Sequence, residues 1–249
     1  MRRWIALAAA LLVSASACAA PLRVSFNTDK PPFAFKDGSG KVVGIEVDVM
    51  REALGRLGHS VVPVQGSKAH LILMLTAAQV EVAATVQGQD GEGVYYSDRA
   101  IEFSNVAVSR KSEDVHLATL ADLDNYRFVI WQGGWADLGP VFKAKYQPDA
   151  QGRFPPNYYQ SGTQDVQSRV FWGKRVQVIV IDKTIFEWYR SRLGEGLRGD
   201  EEVVYHPIFK GVTDFSAAFR DRALRDAFNG ALKAMRADGS YRRILERYR

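Results

Sequence analysis

LRVSFNTDKPPFAFKDGSGKVVGIEVDVMREALGRLG, residues 22–58, reads as a strand, a rigid loop, a second strand and an amphipathic helix compressed into one unit. Leu22 to Phe26 alternates apolar and polar side chains with period two, as a half-buried strand does. Pro31-Pro32 fixes φ and removes two backbone donors, so the chain leaves the sheet there. Phe33 and Phe35 project from that loop. Asp37-Gly38-Ser39-Gly40 is turn chemistry, and Val42-Val43 follows as a short apolar strand. From Gly44 the period changes: Val47, Met50, Leu54 and Leu57 make one helical stripe, closed by Gly58. A stiff aromatic loop at the end of a strand is where an α/β protein presents residues to a ligand, so Asn27, Lys30 and Phe33 are candidates for a binding cleft. The same spacing also suits a loop that only turns a corner and seals the core.

At 249 residues the chain is long for one core and comfortable for two domains. Its composition, 47% hydrophobic and 24% charged, is that of a soluble globular protein. Residues 1–19 read as a secretory signal peptide: Arg2-Arg3, an apolar run from Trp4 to Val13, and small residues from Ser14. The apolar run is too short to span a bilayer, and no later segment approaches that length. Cleavage is expected after Ala17 or Ala19, both of which satisfy A-x-A. Cys18, the single cysteine, lies between them and would carry lipid if it began the mature chain. No disulfide can then form within the domain, so the core must hold the fold in an oxidising compartment. Removing Arg2 and Arg3 leaves 31 Lys+Arg against 28 Asp+Glu, a net +3, which is too small and too interspersed to argue for nucleic acid.

Further along, Ser60 to Val64 is a strand that Pro63 places at an edge, and His70 to Ala77 suits a helix. Glu81 to Val86 returns as a strand and delivers Thr85 beside the glycine-rich loop Gln87–Gly93. In that loop only the side chains of Gln87, Gln89, Asp90 and Glu92 could read a ligand. Ile101 to Val108 is β-prone throughout, and the charged break from Arg110 to Asp114 is the first candidate hinge. Tyr126 to Trp131 is a strand that runs into Gln132-Gly133-Gly134-Trp135. A strand, a glycine pair and a helix start can turn backbone N–H groups toward an anion, although a glycine pair is also simply a tight turn. Pro148 to Tyr159 reads as loop, and Thr163 to Trp172 as helix. Val176 to Ile181 is the most apolar strand and ends in Asp182, which either faces a cleft or caps the helix from Lys183. That helix would turn Ile185, Trp188, Tyr189 and Leu193 inward. Glu201 to Val204 and His206 to Phe209 form a return crossing, and amphipathic helices close the chain from Ala223. No G-x-S-x-G, H-E-x-x-H, C-x-x-C or Walker loop occurs, and His59, His70, His116 and His206 lack metal spacing, so neither a metal nor a cofactor is expected.

The chain resembles the family 3 extracellular solute-binding proteins, the receptors of polar amino acid ABC importers. Pro31-Pro32-Phe33, then Gly44-Ile45-Glu46-Val47-Asp48 and Leu57-Gly58, look like the opening signature of that family. Tyr96-Ser97-Asp98 sits where it has F-S-D. Asp122-Leu123 leading to Gly133 is similar to its entry into lobe two, with Asn125 where a glycine stands. Arg236-Ala237-Asp238-Gly239-Ser240-Tyr241 resembles its near-terminal motif. The resemblance implies an α/β, two-lobed periplasmic-binding-protein-like fold (type II) with two crossovers at the hinge. Lobe one would comprise 20–108 and 212–249, and lobe two 109–211, with hinges near Val106–Lys111 and Pro207–Thr213. The solute would be clamped between the lobes and released as they open.

In amino-acid-binding members an arginine just after the strand equivalent to Ala83–Val86 grips the ligand carboxylate. Here the count lands on Asp90, and no arginine or lysine occurs between Lys68 and Arg99. Asp182 matches the aspartate that takes the ligand amino group, Gln177 replaces an earlier acid, and Trp135 stands where a small hydroxyl residue often meets the carboxylate. The resemblance therefore implies a receptor with an altered site. Phe33 and Trp135 would be apolar walls, Thr85 and Gln87 hydrogen-bonders, Gly133 and Gly134 amide donors, and Asp182 the lobe-two charge, with Lys68 or Arg99 as an alternative cation. The departures favour a cationic, neutral-polar or aromatic ligand. The expected partners are a small polar ligand and an inner-membrane ABC permease, the protein itself being monomeric, without nucleic acid, and touching membrane only through its partner or a lipid on Cys18. Two alternatives share the fold: a periplasmic enzyme of the cyclohexadienyl dehydratase type, using Asp90, Glu92 or Asp182 as acid, and a sensing protein that presents its liganded form to a membrane signalling partner. The chain ending at Arg249 is expected to exclude fusion to a second catalytic domain.

Overall fold

The opening unit forms as its pattern predicts, and the loop caps the helix that follows it. In a computed structural model describing residues 20–192 and 199–248, β1 (Leu22–Asn27) leads to the hairpin of β2 (Phe35–Lys36) and β3 (Val42–Val43), then to α1 (Ile45–Gly55). The carbonyls of Pro32 and Phe33 accept from the N–H groups of Ile45 and Glu46, each at 2.9 Å, satisfying donors that a helix start leaves free. Between them Gly44 has φ 131°, and a Cβ there would lie 2.2 Å from the Phe33 carbonyl oxygen, so only glycine fits. The expected signal peptide, residues 1–19 with Cys18, and Leu193 lie outside the described residues.

The chain continues through β4 (Val61–Gly66), α2 (Lys68–Thr76), β5 (Val82–Val86), β6 (Tyr95–Tyr96) and β7 (Ile101–Phe103). It then enters a second sheet with β8 (Asn105–Arg110), β9 (Phe128–Trp131), α3 (Pro140–Tyr146), β10 (Tyr158–Ser161), α4 (Gln164–Trp172), β11 (Val178–Asp182), α5 (Lys183–Arg190) and β12 (Val203–His206). It returns through β13 (Thr213–Phe219) and ends in α6 (Arg222–Ala237) and α7 (Ser240–Glu246). The first sheet has the order β4-β1-β5-β13-β6, with β7 also on β13; β1 runs parallel to β4 and β5, and β13 antiparallel to its neighbours. The second has the order β10-β9-β11-β8-β12, with β9, β10 and β11 parallel and β8 antiparallel to both of its neighbours, β11 and β12. Each sheet is packed on both faces. Leu71 and Leu75 of α2 cover one side of the first, and Val47, Met50, Phe228 and Leu232 belong to the core on the other. Phe142 and Tyr146 of α3 meet Phe128 on one side of the second, while Phe171 and Phe186 pack on the opposite side.

Two local expectations change. Ile101 to Val108 is not one strand: β7 pairs with β13 in the first sheet, and β8 pairs with β11 and β12 in the second. The first crossover therefore falls at Ser104, and Asn105–Val108 lies with lobe two rather than with the 20–108 segment. Residues on both sides of Ser104 are β-prone, so the switch is made by pairing partners and not by a breaker. Ser104 donates its N–H to Asp182 Oδ2 at 2.8 Å and accepts from Lys183 N at 2.9 Å, which locks the crossover to the end of β11. The second correction is β10, whose first residues lie in a stretch that reads as loop. It forms because β9 supplies a parallel partner from Phe128 to Trp131.

Candidate functional site

Asn27, Thr85, Trp131, Ser161 and Asp182 stand at or next to the carboxyl ends of β1, β5, β9, β10 and β11, and all line one cavity of about 800 Å³. Open α/β sheets place ligands at these ends, because the strand backbone stops there and the following loops splay apart. Both crossovers border the cavity: Asn105 donates from Nδ2 to Thr213 Oγ1 at 3.2 Å, and both residues line it. Phe103 and Phe215 give it an apolar wall in edge-to-face contact, with ring centres 5.1 Å apart. Thr85 has φ 54°, a conformation rare for a β-branched residue, and its buried hydroxyl lacks a hydrogen bond of ordinary geometry.

Lys30, Glu46, Asp182 and the Lys68–Asp137 pair set the electrostatics. Lys30 lines the cavity with its ammonium 3.8 Å from the centre of the Phe103 ring. The surface it keeps opens onto the cleft, yet enclosure among protein atoms still lowers its pKa by desolvation, while Glu46 and Asp182 pull it back up. Glu46 is fully buried on α1 with neither oxygen hydrogen-bonded. Burial pushes its carboxyl up, opposed first by Lys30 and then by the nearby Thr85 hydroxyl. Asp182 accepts from Ile185 N at 3.0 Å, as N-cap of α5, and from the Ser104 N–H. Desolvation outweighs these bonds and lifts its pKa to about 6. Lys68, at the start of α2, reaches across from lobe one to Asp137 of lobe two, with its Nζ 2.7 and 2.8 Å from the two carboxylate oxygens. Asp137 also accepts from Trp131 Nε1 at 3.2 Å.

Among the residues singled out from the sequence, Asn27, Lys30, Lys68, Thr85 and Asp182 meet in this cavity, and Phe33, Gln87, Gly133, Gly134 and Trp135 do not line it. Phe33 is buried, its carbonyl tied to α1 and its ring 4.4 Å from that of Phe103. Gln87 is exposed and donates to the Asp214 carbonyl. The Gly133 N–H donates to Gln160 Oε1 at 2.7 Å, so the glycine pair is a turn rather than an anion nest. A Cβ on Gly134 would come within 2.7 Å of the Ile130 side chain, which makes this glycine a packing requirement. The same turn carries Trp135 into the outer core with Leu138, and Trp131 faces the cleft in its place.

The loop that lacks the arginine is braced from outside. Asp90 accepts from Tyr96 N at 2.7 Å and pairs with Arg225 at 3.1 Å, and the first of these bonds does most to lower its pKa. Arg99 pairs with Glu102 and Asp214 and does not line the cavity. The sequence reading overlooked Trp131, Ser161 and Thr163. Trp131 was available to the strand-end rule, whereas Ser161 and Thr163 required recognition of β10. Among the described residues no group of three His, Cys, Asp or Glu is placed to hold a metal ion, and no helix is long and apolar enough to cross a membrane.

Residues 22–249 match the family model for bacterial extracellular solute-binding proteins, family 3. The chain belongs to that family. A histidine-binding periplasmic protein from Salmonella typhimurium is 23% identical over 94% of this chain and 90% of its own length. Among solved structures, an ancestral arginine-binding protein bound to arginine has a TM-score of 0.69 at 23% identity, covering 93% of this chain and 99% of the other. An ancestral amino acid-binding protein described as a precursor of cyclohexadienyl dehydratase has a TM-score of 0.68 at 21% identity, covering 92% and 95%. These solved structures agree with a two-lobed solute-binding fold, and this family 3 protein shares it with its cleft at the strand ends.

Proposed function

We propose that this protein captures a small polar solute, an amino acid or a close analogue, between its lobes in the periplasm and delivers it to the permease of an ABC importer. The observation that carries the reading is the convergence of strand ends from both sheets on one cavity of about 800 Å³, flanked by both crossovers. That volume lies within the usual range for small-molecule sites, and bending at Ser104 and across residues 207–212 would open it. The names of the relatives, histidine-binding and arginine-binding, support an amino-acid-like ligand. The receptor acts as a monomer, free or tethered through Cys18. A thermal-shift screen of the mature chain against amino acids, polyamines and organic acids tests the reading. A true ligand at a hundredfold over its Kd adds about 2.7 kcal/mol of stability; no response across the screen opposes it.

One observation favours a second reading, an enzyme on the same fold. Asp182 combines a cleft position with a pKa raised to about 6, which suits a general acid. Asp90, by contrast, is paired with Arg225 and held below its ordinary value, and Glu92 is exposed. Turnover of prephenate or arogenate by the purified protein would establish the enzyme, and its absence leaves the receptor.

A further inference from the structure

The cleft lacks the arginine that would hold a carboxylate, yet it is not without a cation. Arg99 is paired away from it, and Lys68 is held by both oxygens of Asp137. Lys30 differs from both: among the described residues its ammonium has no ion pair and no hydrogen bond. Its backbone is pinned, since Lys30 N donates to Ala34 O at 2.8 Å and Lys30 O accepts from Phe33 N at 2.8 Å. Its Nζ rests on Phe103, with the Phe33 and Phe215 rings at 5.9 and 5.7 Å. Aromatic faces hold a cation by their quadrupole and leave its three N–H donors unused.

The acids whose charge reaches Lys30 do not take those donors. Glu46 is pushed toward its neutral form by burial, both Asp182 oxygens accept backbone N–H groups, and Asp137 is bound to Lys68. We propose that Lys30 is the anion grip of this receptor, binding the carboxylate of an amino acid or small organic acid against the Phe103 ring, in place of the missing arginine. The assignment rests on the cleft being the solute site. It reverses the expectation of a cationic ligand, because a second cation beside an unpaired ammonium would be repelled, whereas a carboxylate supplies the acceptors that it lacks.

The test is calorimetry and thermal shift on the full mature chain with the L-amino acids and succinate, each hit compared with its carboxamide or decarboxylated amine. The expected result is that at least one acid raises Tm and its carboxyl-free counterpart does not. Lys30→Met should weaken that acid about 10- to 100-fold, the worth of a charged hydrogen bond, and Lys30→Arg should restore much of it. Lys30→Gln serves if the methionine variant does not fold. Affinity should also fall toward alkaline pH in the parent and stay level in Lys30→Arg. Burial eases loss of the Lys30 proton against the pull of Glu46, Asp182 and Asp137, and Lys68 adds to that loss, while a guanidinium keeps its charge. Binding of the carboxyl-free compounds, or unchanged affinity in Lys30→Met, would overturn the anion grip and leave the receptor standing. No binding by any compound would overturn both.

Discussion

Asp182→Asn separates the charge of this side chain from its hydrogen bonds. The folded protein raises the carboxyl from its ordinary 3.8 to about 6, so ionising it in the fold is about 3 kcal/mol harder than in the unfolded chain. The sign follows from proton binding. A carboxyl that holds its proton more tightly when folded adds stability below pH 3.8 and loses it as pH rises through about 6. Between pH 5 and pH 8 the remaining loss is about 1–2 kcal/mol. Asparagine cannot ionise, so the variant lacks that decline. It has a single acceptor oxygen for two donors, Ile185 N and Ser104 N, and leaving one of them unmet costs about 1–3 kcal/mol at any pH. The variant should therefore be less stable than the parent at pH 5, with the gap narrowing by pH 8. For a chain of this size the narrowing corresponds to roughly 3–6 °C in Tm, measurable by scanning fluorimetry on ligand-free protein at pH 5, 6, 7 and 8. His206, whose pKa burial lowers, works in the opposite direction by losing stability as pH falls, but it is common to both proteins and cancels in the difference. Parallel curves for parent and variant would refute the buried, reluctant carboxylate.

Asp137→Asn removes the charge that Lys68 reaches across the cleft. Lys68 is half exposed, so the loss should be at most about 1 kcal/mol and smaller in high salt, with a larger radius of gyration by small-angle scattering; an unchanged envelope would count against a latch between the lobes. Gly134→Ala should cost about 1–3 kcal/mol by overpacking against Ile130, and an unchanged Tm would show that the turn yields. Trp135→Ala should lower Tm through the outer core while leaving the affinity of any bound solute unaltered; a loss of affinity would return Trp135 to the cleft. Arg225→Met should speed hydrogen exchange across residues 87–96, because Arg225 ties Asp90 and the Tyr96 carbonyl together, with protection unchanged if the loop holds itself.

The opening unit was legible because its determinants are local. Proline, glycine and a stripe of period 3.6 act within a few residues, and Gly44 meets Phe33 inside the same loop. The same locality made Asp182 readable, since an apolar strand ending in a carboxylate before a helix has few outcomes. Ser104 was not legible, as nothing in its side chain distinguishes it; what changes there is the strand beside it. Trp131 ends β9 and lines the cleft, whereas Trp135 lies beyond Gly133 at φ 77° and packs in the outer core, a division that four residues of spacing do not reveal. For Lys30 the sequence supplied a cation at a strand end, and it left open whether that cation had a partner. Hydrogen bonds and ion pairs between residues far apart in the chain settle that question, and they exist only once the lobes are formed. Sequence by itself determined the family, the two-sheet fold and the missing arginine; tertiary structure decided which cations of the cleft are already paired, Lys68 with Asp137, and that the Lys30 ammonium has no such partner among the described residues.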